Sequence, residues 1–260
     1  MRLDQDVIQW AIRRGIKPGT LRALHVGGEI IQFGDRRLPA IVFHYLDNGG
    51  ESVNYKARAL NEKAFKQRAN GTQQFYNQAA VLAGPLERVY ITEGELDACA
   101  LVESGVPVNS VLSVVGGAPA KQGDDPASSK RYGYIRDALG AGLDKCKQFV
   151  LCTDNDSPGH HLRADLAQIL GAANCYWIEW PDGIKDANDA LMEWGAEDLG
   201  LLMRDGAREF PLEGVYRLSE IPEPPELTLW QGWPEWENKL RLSPSHLSVL
   251  SGWPGHGKSH

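Results

Sequence analysis

An α/β protein built around a parallel sheet is what three features of this sequence predict. From residue 87 onward, short apolar runs alternate with longer amphipathic stretches. Three of those runs end in clusters of acidic residues. The chain has 260 residues, 42% of them hydrophobic, enough for one or two packed domains of ordinary soluble composition.

Residues 4–14 place Val7, Ile8, Ala11 and Ile12 at helical spacing, Gly15 ends that helix, and Lys17-Pro18-Gly19-Thr20 opens a second short one. Residues 38–45 and 52–59 read as strands joined by a hairpin at Asp47-Asn48-Gly49-Gly50. The second strand leads into a basic stretch, Lys56, Arg58, Lys63, Lys66 and Arg68, interleaved with Phe65, Phe75 and Tyr76. Strands follow at 88–92, 110–114, 148–153 and 174–180, with helices near 95–105, 132–144, 159–171 and 186–194. Residues 219–226 are rich in Pro and Glu and read as a linker, before a short apolar run at 247–250. The expected organisation is a helical and basic α+β part at 1–80, an α/β domain at 81–200, a helix end and linker at 201–230, and the start of a further domain at 231–260.

Net charge is −7, but it is unevenly spread: +5 over residues 1–80 and −10 over residues 81–200. A basic part joined to an acidic one suits a polyanion on one side and metal ions on the other, although a solvated acidic face reads the same way. No apolar run reaches the roughly 18 residues of a membrane span, and acids at positions 4 and 6 do not suit a signal peptide. Cys99, Cys146, Cys152 and Cys175 form no C-x-x-C pair, so they offer no zinc site and read as buried thiols of a cytoplasmic protein.

The acids carry the chemistry. The first strand runs into Glu93-Gly94-Glu95-Leu96-Asp97, the third into Asp154-Asn155-Asp156, and the fourth leads to Lys185-Asp186-Ala187-Asn188-Asp189. Ligands of open parallel sheets bind at the carboxyl ends of strands, so Glu93, Asp154, Asp156 and Asp186 are expected on one edge. Converging carboxylates need cations, and all-oxygen ligands select Mg²⁺ or Mn²⁺. Such a site suits phosphoryl or nucleotidyl transfer. Glu93 can bind metal or act as general acid/base, with Asp97, four residues on, supporting it. One acidic residue after a strand is equally a helix cap, and Asp189 reads better as a cap or a solvated acid; three acidic strand ends in succession favour the metal site.

This order, E-G-E-x-D, D-N-D-x-x-G, then K-D-A-N-D, resembles the Toprim domain of primases, topoisomerases and related nucleases. The Lys185-Asp186-Ala187-Asn188 form looks most like phage-type and Twinkle-like primase–helicases. The resemblance implies a Toprim fold over residues 87–200, Glu93 as catalytic glutamate, and Asp154, Asp156 and Asp186 as metal ligands, with Lys185 beside them. It also implies that Lys56, Arg58, Lys63 and Lys66 hold template and nucleotide phosphates. Phe65, Phe75 or Tyr76 are then candidates for stacking on bases, each of them equally a core aromatic.

Gly252-Trp253-Pro254-Gly255-His256-Gly257-Lys258-Ser259 matches the phosphate-binding G-x-x-x-x-G-K-[ST] loop after a strand. It resembles the start of a DnaB/RecA-type helicase domain, in which Gly252, Gly255, Gly257, Lys258 and Ser259 would hold ATP. The sequence ends at His260, before the following helix, so ATP binding and a homo-hexamer are expected only of a longer protein. The expected function is DNA primase activity on single-stranded DNA with ribonucleoside triphosphates, among other replication proteins and away from membranes. Primases resembling this one usually carry an amino-terminal zinc-binding domain, which keeps a second reading open: an accessory DNA-binding domain of a replicative helicase with little or no synthesis. A Toprim nuclease or topoisomerase fits less well.

Overall fold

The structure, a computed structural model, describes residues 3–211. The P-loop, the linker and the apolar run at 247–250 lie outside the described residues.

The chain opens with α1 (Gln5–Ile12) and α2 (Pro18–Ala23). Helix α1 buries Val7, Trp10 and Ala11, the i, i+3, i+4 stripe of a helix packed on one side, while Ile12 is exposed. Pro18 starts α2, where a missing N–H costs nothing. Strands β1 (Val26–Phe33), β2 (Arg36–Leu46), β3 (Ser52–Ala59) and β4 (Phe65–Gln67) then form an antiparallel sheet in sequence order. The β2–β3 turn is held by Asp47, whose Oδ1 accepts from the backbone N–H of Gly49 and Glu51 at 2.9 Å each.

After α3 (Gln78–Leu82) come β5 (Arg88–Thr92), α4 (Glu95–Glu103), β6 (Val111–Ser113), α5 (Gly133–Gly140), β7 (Gln148–Cys152), α6 (Ser157–Leu170) and β8 (Cys175–Ile178). Helices α7 (Ala187–Trp194) and α8 (Ala196–Asp205) precede β9 (Ala207–Glu209). The second sheet has the order β6-β5-β7-β8-β9, parallel throughout except for β9. The chain leaves β5 toward β6 on one side and returns to β7 on the other. The β5/β7 boundary is therefore the switch point of the sheet, where the flanking loops diverge and a ligand crevice opens.

One apolar cluster joins the two sheets, from Val7, Trp10 and Tyr45 through Tyr76 to Ile91, Leu151 and Leu166. Tyr76 stitches them: it bridges Ser113 through backbone pairing, and its hydroxyl donates to the carbonyl of Leu24. Phe75 and Tyr76 are fully buried, with the Phe75 ring 5.0 Å from that of Tyr134, so both are core aromatics and not base-stacking groups. The four cysteines are free and buried. Among the described residues no helix is long and apolar enough to cross a membrane.

Helix α6 starts close against the end of β7. A Cβ on Gly159 would stand 2.1 Å from the carbonyl oxygen of Asp154, a backbone atom that cannot turn aside. Gly159→Ala is expected to cost about 2 kcal/mol by overpacking. Urea unfolding should show a lower midpoint at unchanged slope.

Candidate functional site

Each acidic loop is shaped by its own sequence. Gly94 takes an extended conformation at the N-cap of α4, and a side chain there would meet Asp97 Oδ2 at 2.7 Å. Asp156 caps α6, accepting from the N–H of Gly159 at 2.9 Å, and Asp186 caps α7, accepting from the N–H of Asp189 at 2.8 Å. Asn155 ties the third loop to the second. Its backbone N–H donates to the carbonyl of Lys185 at 2.7 Å, and its side-chain amide donates to the carbonyl of Ile184 at 3.3 Å. Trp180 adds a bond from its indole N–H to the carbonyl of Thr153 at 2.8 Å.

These ties bring Asp97, Asp154 and Asp186 together, with carboxylate oxygens all within 4.8 Å of one another. Asp97, expected only to support Glu93, is the most buried of the three, and its Oδ1 accepts from the N–H of Asn188 at 3.1 Å instead of contacting Glu93. Asn188 in turn donates from its side chain to the carbonyl of Arg14 at 3.0 Å, joining α7 to the loop after α1. Asp156 stands outside the group of three, while Asp186 belongs to it although both cap helices. Glu93 also stands outside it, beside it in the same cleft. Lys185 bonds Asp154 at 2.7 Å and reaches Asp156 at 3.4 Å.

Glu93 accepts from the N–H of Ala118 at 3.1 Å, while its Oε2 is buried without a partner. The loop that carries Ala118 is itself fastened: Arg131 donates to the carbonyl of Gly117 at 2.7 Å, and buried Asp165 accepts from the Tyr132 hydroxyl at 2.8 Å and the N–H of Gly123 at 3.2 Å. Burial, reinforced by the charge of Asp154, raises the Glu93 carboxyl to about 7. Burial, then Asp186 and Asp154, holds Asp97 well above the carboxylate range, and burial raises Asp154 despite Lys185.

The opposite wall of the cleft, about 300 Å³ in volume, comes from α1 and the antiparallel sheet. Lys56 and Arg58 alternate with inward-facing Ala57 of the other side, as strand geometry requires, so both face the acids. Lys66, in register with Ala57, falls on the other face of the sheet and donates to the carbonyl of Gln32 at 2.7 Å. Lys63 is exposed in the β3–β4 turn. The sequence-level basic stretch is thus divided, with two of its four expected phosphate contacts in the cleft.

Lys56 is also committed structurally. Its ammonium lies 3.0 Å from Glu95, whose carboxylate accepts from the Tyr45 hydroxyl at 2.5 Å. Glu95 is buried at the start of α4, so this pair spans the two sheets. Arg14 was not marked by any motif, yet it lines the cleft with Arg58. Both guanidinium groups lie over Trp10, at 4.3 and 5.2 Å from the ring centre, and Arg58 Nε is buried without a hydrogen-bond partner. Burial, followed by the neighbouring Arg14, lowers the Arg58 pKa. The only sequence signal for Arg14 was the helix expected over residues 4–14, which says nothing of what lies across from it, and the residue falls just past the end of α1.

Residues 90–191 match the family model described as Toprim-like. The chain is 29% identical over 266 residues to the Twinkle homolog protein, chloroplastic/mitochondrial, of Arabidopsis thaliana, across 95% of this chain and 35% of that protein. It is 34% identical over 164 residues to the Primase homolog protein of the same plant, across 60% of this chain and 47% of that one. The chain thus spans less than half the length of either curated relative. Its fold is similar to that of the primase fragment of the bacteriophage T7 primase–helicase protein, with a TM-score of 0.58, 22% identity and coverage of 75% and 72% of the two chains. It is likewise similar to the DnaG primase catalytic domain bound to ssDNA, with a TM-score of 0.57, 16% identity and coverage of 79% and 73%.

Two outcomes follow from the geometry. Glu95→Ala or Lys56→Met alone should lower stability by about 3 kcal/mol, because each leaves a buried polar partner uncompensated. The double variant Glu95→Ala/Lys56→Met should lose less than the sum, as read in a double-mutant cycle of urea unfolding. Glu93, Asp97 and Asp154 have raised folded-state pKa values, so the native state holds more protons than the unfolded one between the ordinary carboxylate range and about pH 7. In EDTA, stability contributed by these groups should therefore fall as pH rises through that window. Added Mg²⁺ or Mn²⁺ should raise the melting temperature most at its upper end, and Asp97→Asn should abolish most of that gain.

Proposed function

From a Toprim-like domain at residues 90–191, in a chain similar to Toprim primases of the Twinkle and phage primase–helicase type, we propose that this protein is the primase part of a primase–helicase. It joins ribonucleotides on a single-stranded DNA template by metal-dependent nucleotidyl transfer. One observation carries this reading: a carboxylate cluster and a cationic wall face each other across a single cleft.

The donor set fits a hard divalent ion, being all carboxylate oxygens drawn together within one coordination sphere's reach. Asp97, Asp154 and Asp186 would hold it, with Glu93 and Asp156 beside them for a second ion. A bound Mg²⁺ or Mn²⁺ would supply charge neutralisation at the reacting phosphate.

The chain's own groups do the rest. Glu93 presents a buried, unpartnered oxygen on a carboxyl whose pKa is about 7. That combination suits acceptance of the proton from an attacking 3′-hydroxyl near neutral pH. The hydroxyl oxygen forms a bond to the α-phosphorus of the incoming triphosphate, and the bond to the bridging oxygen breaks, releasing pyrophosphate. Arg14 and Arg58 bind the leaving β- and γ-phosphates, for which planar guanidinium groups are well suited. Lys185 balances charge on the metal side.

The P-loop at 252–259 would serve ATP binding in a helicase domain, and a homo-hexamer would be formed by that domain. One solved relative shows primase domains of a phage primase–helicase against its lagging-strand DNA polymerase, which makes a replicative polymerase a reasonable partner class here.

A priming assay on single-stranded DNA tests the proposal, with labelled ribonucleotides and either Mg²⁺ or Mn²⁺. Wild type should give short RNA products. Glu93→Gln and Asp154→Asn should each lose at least about 100-fold in rate while keeping DNA affinity. Binding without product on every template would replace this reading by the accessory-domain one.

A further inference from the structure

We infer that Phe65 is the platform of a nucleobase subsite at the mouth of the cleft, with Arg58 placed to hold the phosphate of the same nucleotide. This rests on the reading of the cleft as a site for nucleotides and single-stranded DNA.

Phe65 is 53% exposed and lines the cleft. The other large exposed apolar side chains among the described residues, Ile12, Ile30, Met192 and Leu201, are not aromatic and none of them lines it. An exposed aromatic ring beside a phosphate-handling cleft is what a sequence-tolerant base contact needs, since every base has a π-face. Phe75 and Tyr76, the other aromatic candidates of the basic stretch, are fully buried and so unavailable.

The ring is also braced. Phe65 and Arg58 are register partners on β4 and β3, which sets their side chains next to each other on the cleft face. The Arg58 guanidinium lies 5.5 Å from the Phe65 ring centre and 5.2 Å from that of Trp10, within cation–π reach of both rings. Trp10 is fixed in turn by its indole N–H, which donates to the carbonyl of Leu60 at 3.1 Å. With Arg14 over Trp10 at 4.3 Å, arginine and aromatic groups alternate from the helix to the edge strand and end in the open Phe65 ring. Arg58 Nε, buried without a hydrogen-bond partner, gives this row an unspent donor next to the ring. A base on Phe65 and a phosphate on Arg58 is the pairing that two neighbouring positions across a ladder can serve.

The test uses the 260-residue chain and binding measurements that need no catalysis. Phe65→Leu keeps an apolar side chain of similar size but removes the ring, and Phe65→Trp restores a ring. Probes are a fluorescent mixed-sequence single-stranded DNA, the same strand with abasic residues throughout, and ATP measured by competition. Phe65→Leu should weaken the base-bearing DNA, ATP, or both by about tenfold, Phe65→Trp should recover the loss, and all three proteins should bind abasic DNA alike. A loss confined to DNA identifies a template base, and one confined to ATP identifies the incoming base. Unchanged affinity for both probes, or an equal loss on abasic DNA, overturns the inference. Failure of primer synthesis would count against the catalytic reading alone, because base discrimination by Phe65 is read in binding.

Discussion

Repulsion among carboxylates at the β5/β7 switch point is the constraint to which the rest of this molecule answers. Asp97, Asp154 and Asp186 crowd within one ion's reach, with Glu93 alongside. Backbone N–H groups of Ala118, Asn188 and Asp189 and the ammonium of Lys185 offset part of that repulsion, and retained protons offset more. The loops carrying the acids have little freedom for the same reason. Gly94 and Gly159 stand where a side chain would strike Asp97 or the backbone of Asp154, and Asn155 and Trp180 staple one acidic loop to another. Charge pre-organised in this way leaves little rearrangement to be made when a ligand arrives.

The second wall exists because the antiparallel sheet shares a core with the parallel one. Tyr76 and the cluster around it fix the distance between the sheets, and the buried Glu95–Lys56 pair with Tyr45 fixes it again at the rim of the cleft. An ion pair removed from water gains little net stability over an apolar contact, but it tolerates no misplacement. Its value here is registry: α4 carries Asp97 two residues after Glu95, and β3 carries Arg58 two residues after Lys56. Locking Glu95 to Lys56 therefore fixes how far the start of α4, which carries Asp97, stands from the strand that carries Arg58.

The likeness to primases adds weight to this account in a specific way. The family match covers the acidic half of the cleft, residues 90–191, whereas the similarity to the plant Twinkle homolog runs along 95% of this chain and so includes the cationic wall. A fastened loop lies against Glu93, bound by Arg131 and Asp165, and burial of that carboxyl is the main cause of its raised pKa.

Sequence alone determined the α/β class, the strands at 88–92 and 148–153 and the helices that follow them, because apolar periodicity and acidic strand ends are local signals. It also marked every acid that meets at the site. It did not show β1, whose Gly27 and Gly28 hide a strand formed only by pairing with β2, nor β9, which closes the far edge of the sheet. Only the tertiary structure decided roles. Asp97 joined Asp154 and Asp186 in the metal-type cluster, with Asp156 outside the three, because the packing of the loops sets where each oxygen points. The basic stretch split by strand alternation, sending Lys66 to the far face and leaving Lys56 and Arg58 in the cleft, while Arg14 arrived from 44 positions before Arg58. A residue's type and spacing fix what chemistry it can do; which partner it meets depends on contacts between segments that no local pattern encodes.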